Sequence, residues 1–494
     1  MIFWFWLLLL GLITYFIVQR SVASMTRTPV WLLWLVMMMP AFIWALWGLA
    51  FGPSRPIPLV LIVGPFVACP LLYWMLLQWG RLSPEEAQMA QEEAIAAAKR
   101  PPLRPIEKEE EATLQNCFPW TVFYLQNIEY RPQAVICRGQ LRTNPEAAYA
   151  TVRDNVVSHF GDRFLVVFQE SLQGKPFFAL VPNPQAMASR LSTEPLVRPG
   201  LALGLLGVTL LTTTWVGMGL NLGAASEQTL TLEQLLTSPN LWLRGLPYAI
   251  ALMGILGIHE LGHYLAARFY KIRTTLPYFI PVPLFLGTFG AFIQIRSPVP
   301  NRKALFDVGI AGPLAGLVVT LPVLLWGLAH STVVTQVPEA SILQFDALNP
   351  HSSLLLSVLS HIALGDSLTA TAALKLHPVA IAGYIGLLVT ALNLMPVGQL
   401  DGGHIVHAMF GQRTGAAIGQ VARLLVLLLS FVRPELLMWA ILLFFIPVID
   451  EPALNDVSEL DDRRDLWGLL ALVLLVMIVL PAPKMLIELL SAMT

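Results

Sequence analysis

Charge is what this sequence lacks most. Asp, Glu, Lys and Arg make up only 12% of its 494 residues, while 56% are hydrophobic. The charged share is about half that of an ordinary soluble domain. A water-facing surface of this size needs far more charge, which excludes a soluble cytosolic protein. The hydrophobic excess also excludes a disordered chain. Cysteine is scarce too: Cys69, Cys117 and Cys137 are scattered, and make neither a disulfide framework nor a CxxC metal site. Any metal must therefore be held by His and carboxylates. A net charge of −1 implies no nucleic-acid partner. What remains is a polytopic α-helical membrane protein, with the lipid bilayer as solvent for its apolar faces.

The charges present are unevenly placed. Residues 1–80 hold apolar runs at about 2–18, 30–51 and 57–79, each close to the length that crosses a bilayer. The first has no basic segment before it and no small-residue cleavage site after it, so a retained helix is expected. Residues 81–199 have a water-soluble composition. Ser83-Pro84-Glu85-Glu86 starts an Ala/Glu-rich helix to about Lys99, and the Pro-rich stretch 100–105 ends it as a stiff linker. The acidic run Glu107 to Glu111 is a solvated face. A small α+β unit is expected from about 120. It has a strand at 134–141, then a helix opened by a capping box at Thr143-Asn144-Pro145-Glu146, with Ala148, Val152, Val156 and Phe160 as its apolar stripe. A hairpin of 164–168 and 177–181 turns around Gly174. No catalytic constellation falls in this domain, which suits a binding or regulatory module.

From 200 to 494 the chain is apolar again, with spans expected at 200–220, 242–268, 305–329, 378–396, 414–432, 434–449 and 466–481. The 434–449 run is short. The expected total is about eight to ten spans, with the α+β domain inserted before them. Loop 223–241 has no Lys or Arg and 331–376 has only Lys375, whereas 268–304 holds Arg268, Lys271, Arg273, Arg296, Arg302 and Lys303. The basic segment should face the cytoplasm. Counting back places 81–199 there as well, a compartment that suits three free thiols.

The chemistry lies inside the apolar part. His259-Glu260-Leu261-Gly262-His263 is an HExxH on a helix. Its two imidazoles share one face, about 6 Å apart along the axis, a spacing that lets both bind one Zn²⁺. Glu260 stands beside the first ligand and can act as general base toward an attacking water. Ionisable groups within a span are costly to insert and functional by default. The next ligand is sought in 393–404, where Pro396 interrupts a helix and Gly398, Gly402 and Gly403 permit sharp turns around Asp401. Two His and one Asp would leave zinc an open position for catalysis. Asn393 is a candidate to orient substrate or donate to a developing oxyanion, and His404 to support Asp401. His159, His330, His351, His361, His377 and His407 fall outside the motifs and carry no assigned chemistry. The small-residue run 309–316 is explained by close helix packing.

At these two motifs, HExxH and then Asn393-Leu394-Met395-Pro396 through Asp401-Gly402, the sequence resembles the site-2 protease family of intramembrane zinc metalloproteases, peptidase family M50. The resemblance covers about 240–410. It implies that His259, His263 and Asp401 bind a single zinc ion and that Glu260 is catalytic. Gly287-Thr288-Phe289-Gly290-Ala291-Phe292, with the Pro-rich stretch before it, resembles the cyanobacterial and chloroplast EGY-like branch. That points to a bacterial inner or thylakoid membrane, or a chloroplast membrane. Pro277, Pro281 and Pro283 forbid a regular helix, and 289–295 is strand-like. Such an edge can hold an unwound substrate, which makes Gly287, Phe289, Gly290 and Phe292 candidates for positioning it. The expected function is cleavage of transmembrane protein substrates near the cytoplasmic face, in regulated intramembrane proteolysis. The alternatives are a membrane transporter for a metal ion or small solute using the same His/Glu/Asp cluster, and an inactive regulator, against which the intact Glu260 argues.

Overall fold

The computed structural model describes residues 28–51, 106–131, 133–171, 174–183, 198–222, 239–282, 286–334, 348–368, 373–433 and 436–492, less Glu107, with scattered positions from 11 to 76. The chain forms two compact units, Met1–Leu103 and Arg104–Thr494. In the first, helix α1 (Val30–Phe51) runs on through Pro40. Two of its indoles are satisfied within apolar surroundings: Trp34 donates to the Gly11 carbonyl at 2.7 Å and Trp44 to the Leu61 carbonyl at 2.9 Å. An unpaired N–H in such a layer would be expensive. The helix expected at 83–99, its linker and most of the 2–18 run lie outside the described residues.

The second unit opens with the α+β domain. After a short helix α2 (Glu111–Asn116), strands β1 (Phe123–Arg131), β2 (Ala134–Leu141), β3 (Phe164–Glu170) and β4 (Pro176–Pro182) form an antiparallel sheet in the order β1-β2-β4-β3. β2 and the β3–β4 hairpin fall where the alternation of the sequence predicts them. β1 was hidden, because a register shift between Leu125 and Asn127 breaks its alternation. Helix α3 (Pro145–Phe160) starts differently from the expected capping box. Its cap is Asn144, which accepts the Glu146 amide at 2.8 Å, and the Glu146 carboxylate lies 3.4 Å from Lys303. Pro145 is the reason: it drives the residue before it into extended backbone, the conformation of a cap. Ala148, Tyr149, Val152 and Val156 of α3 share one buried core with Phe123, Cys137, Phe168 and Phe178 of the sheet.

The edge of this sheet is covered by a distant part of the chain. Phe168 in β3 donates its amide to the Leu454 carbonyl at 2.7 Å and accepts the Asp456 amide at 2.9 Å. The same segment is held on another side, where the Leu454 and Asn455 amides donate to the Val299 and Pro300 carbonyls at 2.9 and 3.0 Å. Residues 454–456 thus tie the α+β domain to the helical core, and Val457 is buried in the domain's own core.

The core follows as α4 (Pro199–Leu222), α5 (Pro239–Phe269), α6 (Arg302–Ala329), α7 (Leu354–Leu364), α8 (Pro378–Leu394), α9 (Asp401–Phe410), α10 (Gln412–Val432), α11 (Leu437–Phe445), α12 (Asp462–Val479) and α13 (Lys484–Ala492). Among the described residues, five helices are long and apolar enough to cross a membrane: α1, α4, α5, α6 and α10. Of the other expected spans, 378–396 is the shorter apolar helix α8, 434–449 contracts to the nine residues of α11, and 466–481 falls in α12, whose first turn carries Asp462 and Asp465. α7 lies in a stretch that its polar flanks make read as loop. Close helix crossings rest on small residues. Gly217 meets the Gly245 carbonyl between α4 and α5, Gly262 the Ala311 carbonyl between α5 and α6, and Gly327 the Ala380 backbone between α6 and α8.

Between α5 and α6 the chain turns back as an antiparallel hairpin, β5 (Tyr278–Pro281) with β6 (Thr288–Phe292). Pairing continues beyond it, with Thr275 donating to Gln294 at 3.0 Å and Arg296 to Arg273 at 2.7 Å. Tyr248 of α5 holds the Leu286 carbonyl at 2.9 Å and Thr212 of α4 the Gly287 carbonyl at 2.7 Å, which fixes the hairpin against the helices.

Candidate metal centre and cleft

His259 and His263 are one turn apart on α5, both buried, and their Nε2 atoms converge to 3.2 Å. Asp401 is the first residue of α9. The irregular stretch before that helix brings its Oδ2 to 3.5 Å from His259 Nε2 and 3.3 Å from His263 Nε2. Ligand atoms bonded tetrahedrally to one zinc ion lie about 3.3 Å from each other. The triangle therefore fits such an ion as it stands. Among the described residues it is the one His/Cys/Asp/Glu cluster with this geometry.

The imidazoles are held from outside. His263 Nδ1 lies 2.7 Å from the Val308 carbonyl of α6. A carbonyl can only accept, so Nδ1 carries the proton and the Nε2 lone pair faces the centre. The small-residue run on α6 does more than let helices approach. A methyl group on Gly312 would fall within the His263 ring, and one on Gly316 would sit 3.1 Å from His259 Nδ1. Gly309 makes the same allowance for His404, whose Cβ would be 3.1 Å away. Three glycines at helical spacing thus clear a face for the imidazoles of His263 and His259 and the Cβ of His404.

Glu260, buried beside His259, brings Oε1 to 4.0 Å from His259 Nε2. Asn393, on α8, places its side-chain nitrogen 3.1 Å from His259 Nε2. A cleft of about 910 Å³ opens onto these groups. It is lined by His259, Glu260 and Asp401, by residues 291–299, and by His404 with Asp450–Pro452. A smaller recess of about 220 Å³, lined by Leu252, Leu256, Phe289, Ile385 and Val389, adjoins His259 and Glu260. Of the residues expected to position substrate, Asn393 lines both spaces, Phe292 the cleft, and Phe289 and Gly290 the recess. Gly290 has φ +106°, a backbone that favours glycine. Gly287 is elsewhere: its Cα faces the Thr212–Thr213 backbone of α4, and it lines neither space.

Sequence reasoning missed a second polar cluster beside the first. Asp450 Oδ2 lies 2.8 Å from His404 Nδ1 and 2.8 Å from His407 Nδ1, and His407 Nε2 lies 3.0 Å from Asp456 Oδ1. Arg302 donates to the same Asp456 oxygen at 3.2 Å. Both nitrogens of His407 face carboxylates, which asks for a doubly protonated ring. Burial would lower the His407 pKa, but its bonds to Asp450 and Asp456 outweigh it and raise the pKa to about 9. Burial would likewise raise Asp450, and the hydrogen bonds from His404 and His407 bring it instead to about 2. The one available signal was the helical spacing of His404 and His407 after Asp401. Their partner in Asp450-Glu451-Pro452 looks like any acidic turn.

Residues 247–433 match the family model of peptidase family M50, and residues 112–188 match the EGY3 middle domain. The chain is 37% identical to "Probable zinc metalloprotease EGY1, chloroplastic" of Arabidopsis thaliana, over 48% of its own length and 43% of that protein's. It is 30% identical to "Probable zinc metalloprotease EGY2, chloroplastic" of the same plant, over 74% of this chain and 63% of that one. Over residues 247–433 the chain is similar to peptidase family M50. A further relative, the protein named "Probable zinc metalloprotease EGY2, chloroplastic" in Oryza sativa subsp. indica, is 29% identical over 74% of this chain and 65% of its own length. The chain thus spans less than two thirds of these M50 relatives. No solved structure matches it. The M50 match encloses His259, Glu260, His263, Asn393 and Asp401, while Asp450 and Asp456 lie beyond it.

Proposed function

We propose that this chain is a zinc metalloendopeptidase that cuts transmembrane protein substrates near the cytoplasmic side of a bacterial, thylakoid or chloroplast membrane, as a step of regulated intramembrane proteolysis. The observation that carries the reading is the convergence of His259 Nε2, His263 Nε2 and Asp401 Oδ2 beside Glu260, on a cleft large enough for a peptide. Its three protein ligands leave a tetrahedral ion one position short, the pattern of catalytic zinc. The names of the EGY1 and EGY2 relatives support zinc as the metal.

Zinc, when bound there, polarises the scissile carbonyl and makes water nucleophilic at neutral pH. Glu260 takes the proton of the attacking water and returns it to the leaving amine. Asn393 stands beside His259, where its amide can orient the substrate carbonyl. A peptide bond inside a helix is shielded by its own hydrogen bonds, so the substrate must be unwound at this point. Residues 288–295 border both spaces beside Glu260, and their extended backbone can pair with the unwound segment. The placement of the α+β domain in the cytoplasm or stroma rests on the Lys/Arg bias of the loops.

The test is purified full-length protein in bilayers, with elemental analysis for zinc and a transmembrane substrate. We expect a single zinc ion, lost together with cleavage in a His259→Ala, His263→Ala double variant. Glu260→Gln should keep zinc and lose about 10²–10⁴-fold in turnover, since an amide cannot take the proton. Zinc crossing the bilayer without any cleavage would replace this reading with transport.

A further inference from the structure

We infer that Asp450 is a positioning residue for the metal centre, and that through it the α+β domain sets the third ligand and one wall of the cleft. The inference rests on the peptidase reading for its substrate-cleavage readout, but not for its metal readout.

The geometry runs in a continuous line. Asp401 begins α9, a helix of only ten residues. The stretch before α9 is irregular. Gly398, at φ +50°, abuts the Pro447 carbonyl, and Gly402 and Gly403 abut the carbonyls of Leu394 and Gly398. The backbone here is compact but has no regular ladder to fix its direction. His404 and His407, one and two turns after Asp401, both rest on the single oxygen Oδ2 of Asp450. Gln412, just past the end of α9, donates to the Asp450 carbonyl at 2.9 Å. The direction in which α9 presents Asp401 is thus set by Asp450 along its whole length.

Asp450 is in turn fixed by the α+β domain. Four and six residues on, Leu454 and Asp456 are paired through main-chain bonds with Phe168 of β3, while Leu454 and Asn455 are paired with Val299 and Pro300. Val299 itself lines the cleft, as do Asp450, Glu451 and Pro452. Asp456 closes the circuit through His407 and Arg302. A shift of β3 therefore moves two things together: the wall at Asp450–Pro452 and the carboxylate that holds α9. The sequence shows no catalytic constellation in this domain, and this strand of backbone is how it acts on the centre.

The experiment measures zinc affinity, kcat and KM on the full chain for Asp450→Asn, His404→Gln, Asp456→Asn and Asp456→Pro. Partners that orient ligands are typically worth 10–100-fold in metal affinity or activity, and about that loss is expected for Asp450→Asn. The loss should appear in zinc affinity and in kcat per bound zinc, with KM little changed. A merely structural role would lower the yield of folded protein and leave kcat per bound zinc at the wild-type value. His404→Gln should show a smaller loss, non-additive with Asp450→Asn. Asp456→Pro removes the amide that Phe168 accepts, so it should lose more than Asp456→Asn, which keeps it. Should Asp450→Asn fold poorly, the pair of Asp456 variants and His404→Gln still decide. Wild-type zinc affinity and kcat in His404→Gln and Asp450→Asn, or equal losses in the two Asp456 variants, would overturn the inference. If the wild type binds zinc but cleaves nothing, the peptidase reading fails by itself, and the zinc affinities still judge the role of Asp450.

Discussion

Gly312 of α6 lies flat against the imidazole of His263, leaving no room for a single methyl group between them. His263 cannot swing aside, because the Val308 carbonyl holds its other nitrogen at 2.7 Å. Gly312→Ala should therefore weaken zinc binding by about 10–100-fold, in the range seen when ligand orientation is disturbed. Gly254, on α5, is the control, since a methyl group there meets nothing within 4 Å. Gly254→Ala should leave zinc affinity unchanged. Zinc titration of the two variants separates a cleared face for the imidazole from a general intolerance of helix glycine replacement.

Phe292→Pro tests the extended edge. It deletes one main-chain donor from a segment that lines the cleft. One hydrogen bond of about 1–1.5 kcal/mol corresponds to roughly tenfold in kcat/KM. Phe292→Leu keeps the donor and should change cleavage less. Equal rates for the proline variant and the wild type, with zinc retained in both, would leave the hairpin without a role in holding substrate.

The His407 cluster makes a pH prediction. Its folded pKa is raised to about 9, from an ordinary 6.5. The stabilisation is fully present below about 6.5 and is lost as pH rises through about 9. Asp450, lowered to about 2 from 3.8, contributes at all pH above about 3.8 and loses its share as pH falls through about 2. Hydrogen exchange at the Leu454 and Asp456 amides, corrected for intrinsic rates, should accelerate between pH 6.5 and 9. His407→Gln should abolish that pH dependence.

Topology needs an engineered label. Cys117 and Cys137 are fully buried, and burial pushes the Cys137 thiol up to about 12, so neither will report its compartment in the folded protein. Ala147 is exposed on α3. Ala147→Cys should react with an impermeant maleimide only once the cytoplasmic or stromal side is opened. Labelling from the other side of intact membranes would reverse the proposed orientation.

How far the sequence could be read depended on the range of the contact. HExxH is legible because helix geometry alone brings His259 and His263 together. Asp401 became legible once an intramembrane HExxH demanded a third ligand and the glycines around it marked irregular backbone. The hairpin showed itself through Pro277 and Pro281, which leave few alternatives to extended chain. Asp450 gave no such sign. Its partners are two imidazoles on another element, and only packing decides that they meet. Gly312 was visible as a small residue, but nothing in one dimension says which ring will lie against it. The capping of α3 shows the same limit locally: Thr143 and Asn144 are both good caps, and the choice fell to Asn144 because Pro145 fixes the residue just before it.

The pairing of Phe168 with residues 454–456 also has a consequence in time. β3 is made early in synthesis, and the segment that covers its edge emerges only after α4 to α11 have been translated. At ordinary elongation rates that interval is on the order of tens of seconds. Through it, the α+β domain waits with an unpaired edge, and the HExxH helix is already formed but lacks both the third ligand's support and a finished cleft. The segment that supports the centre arrives after α11, with α12 and α13 still to follow. Such an order of assembly would leave the cluster of His259, His263 and Asp401 without its support until most of the helices are in place.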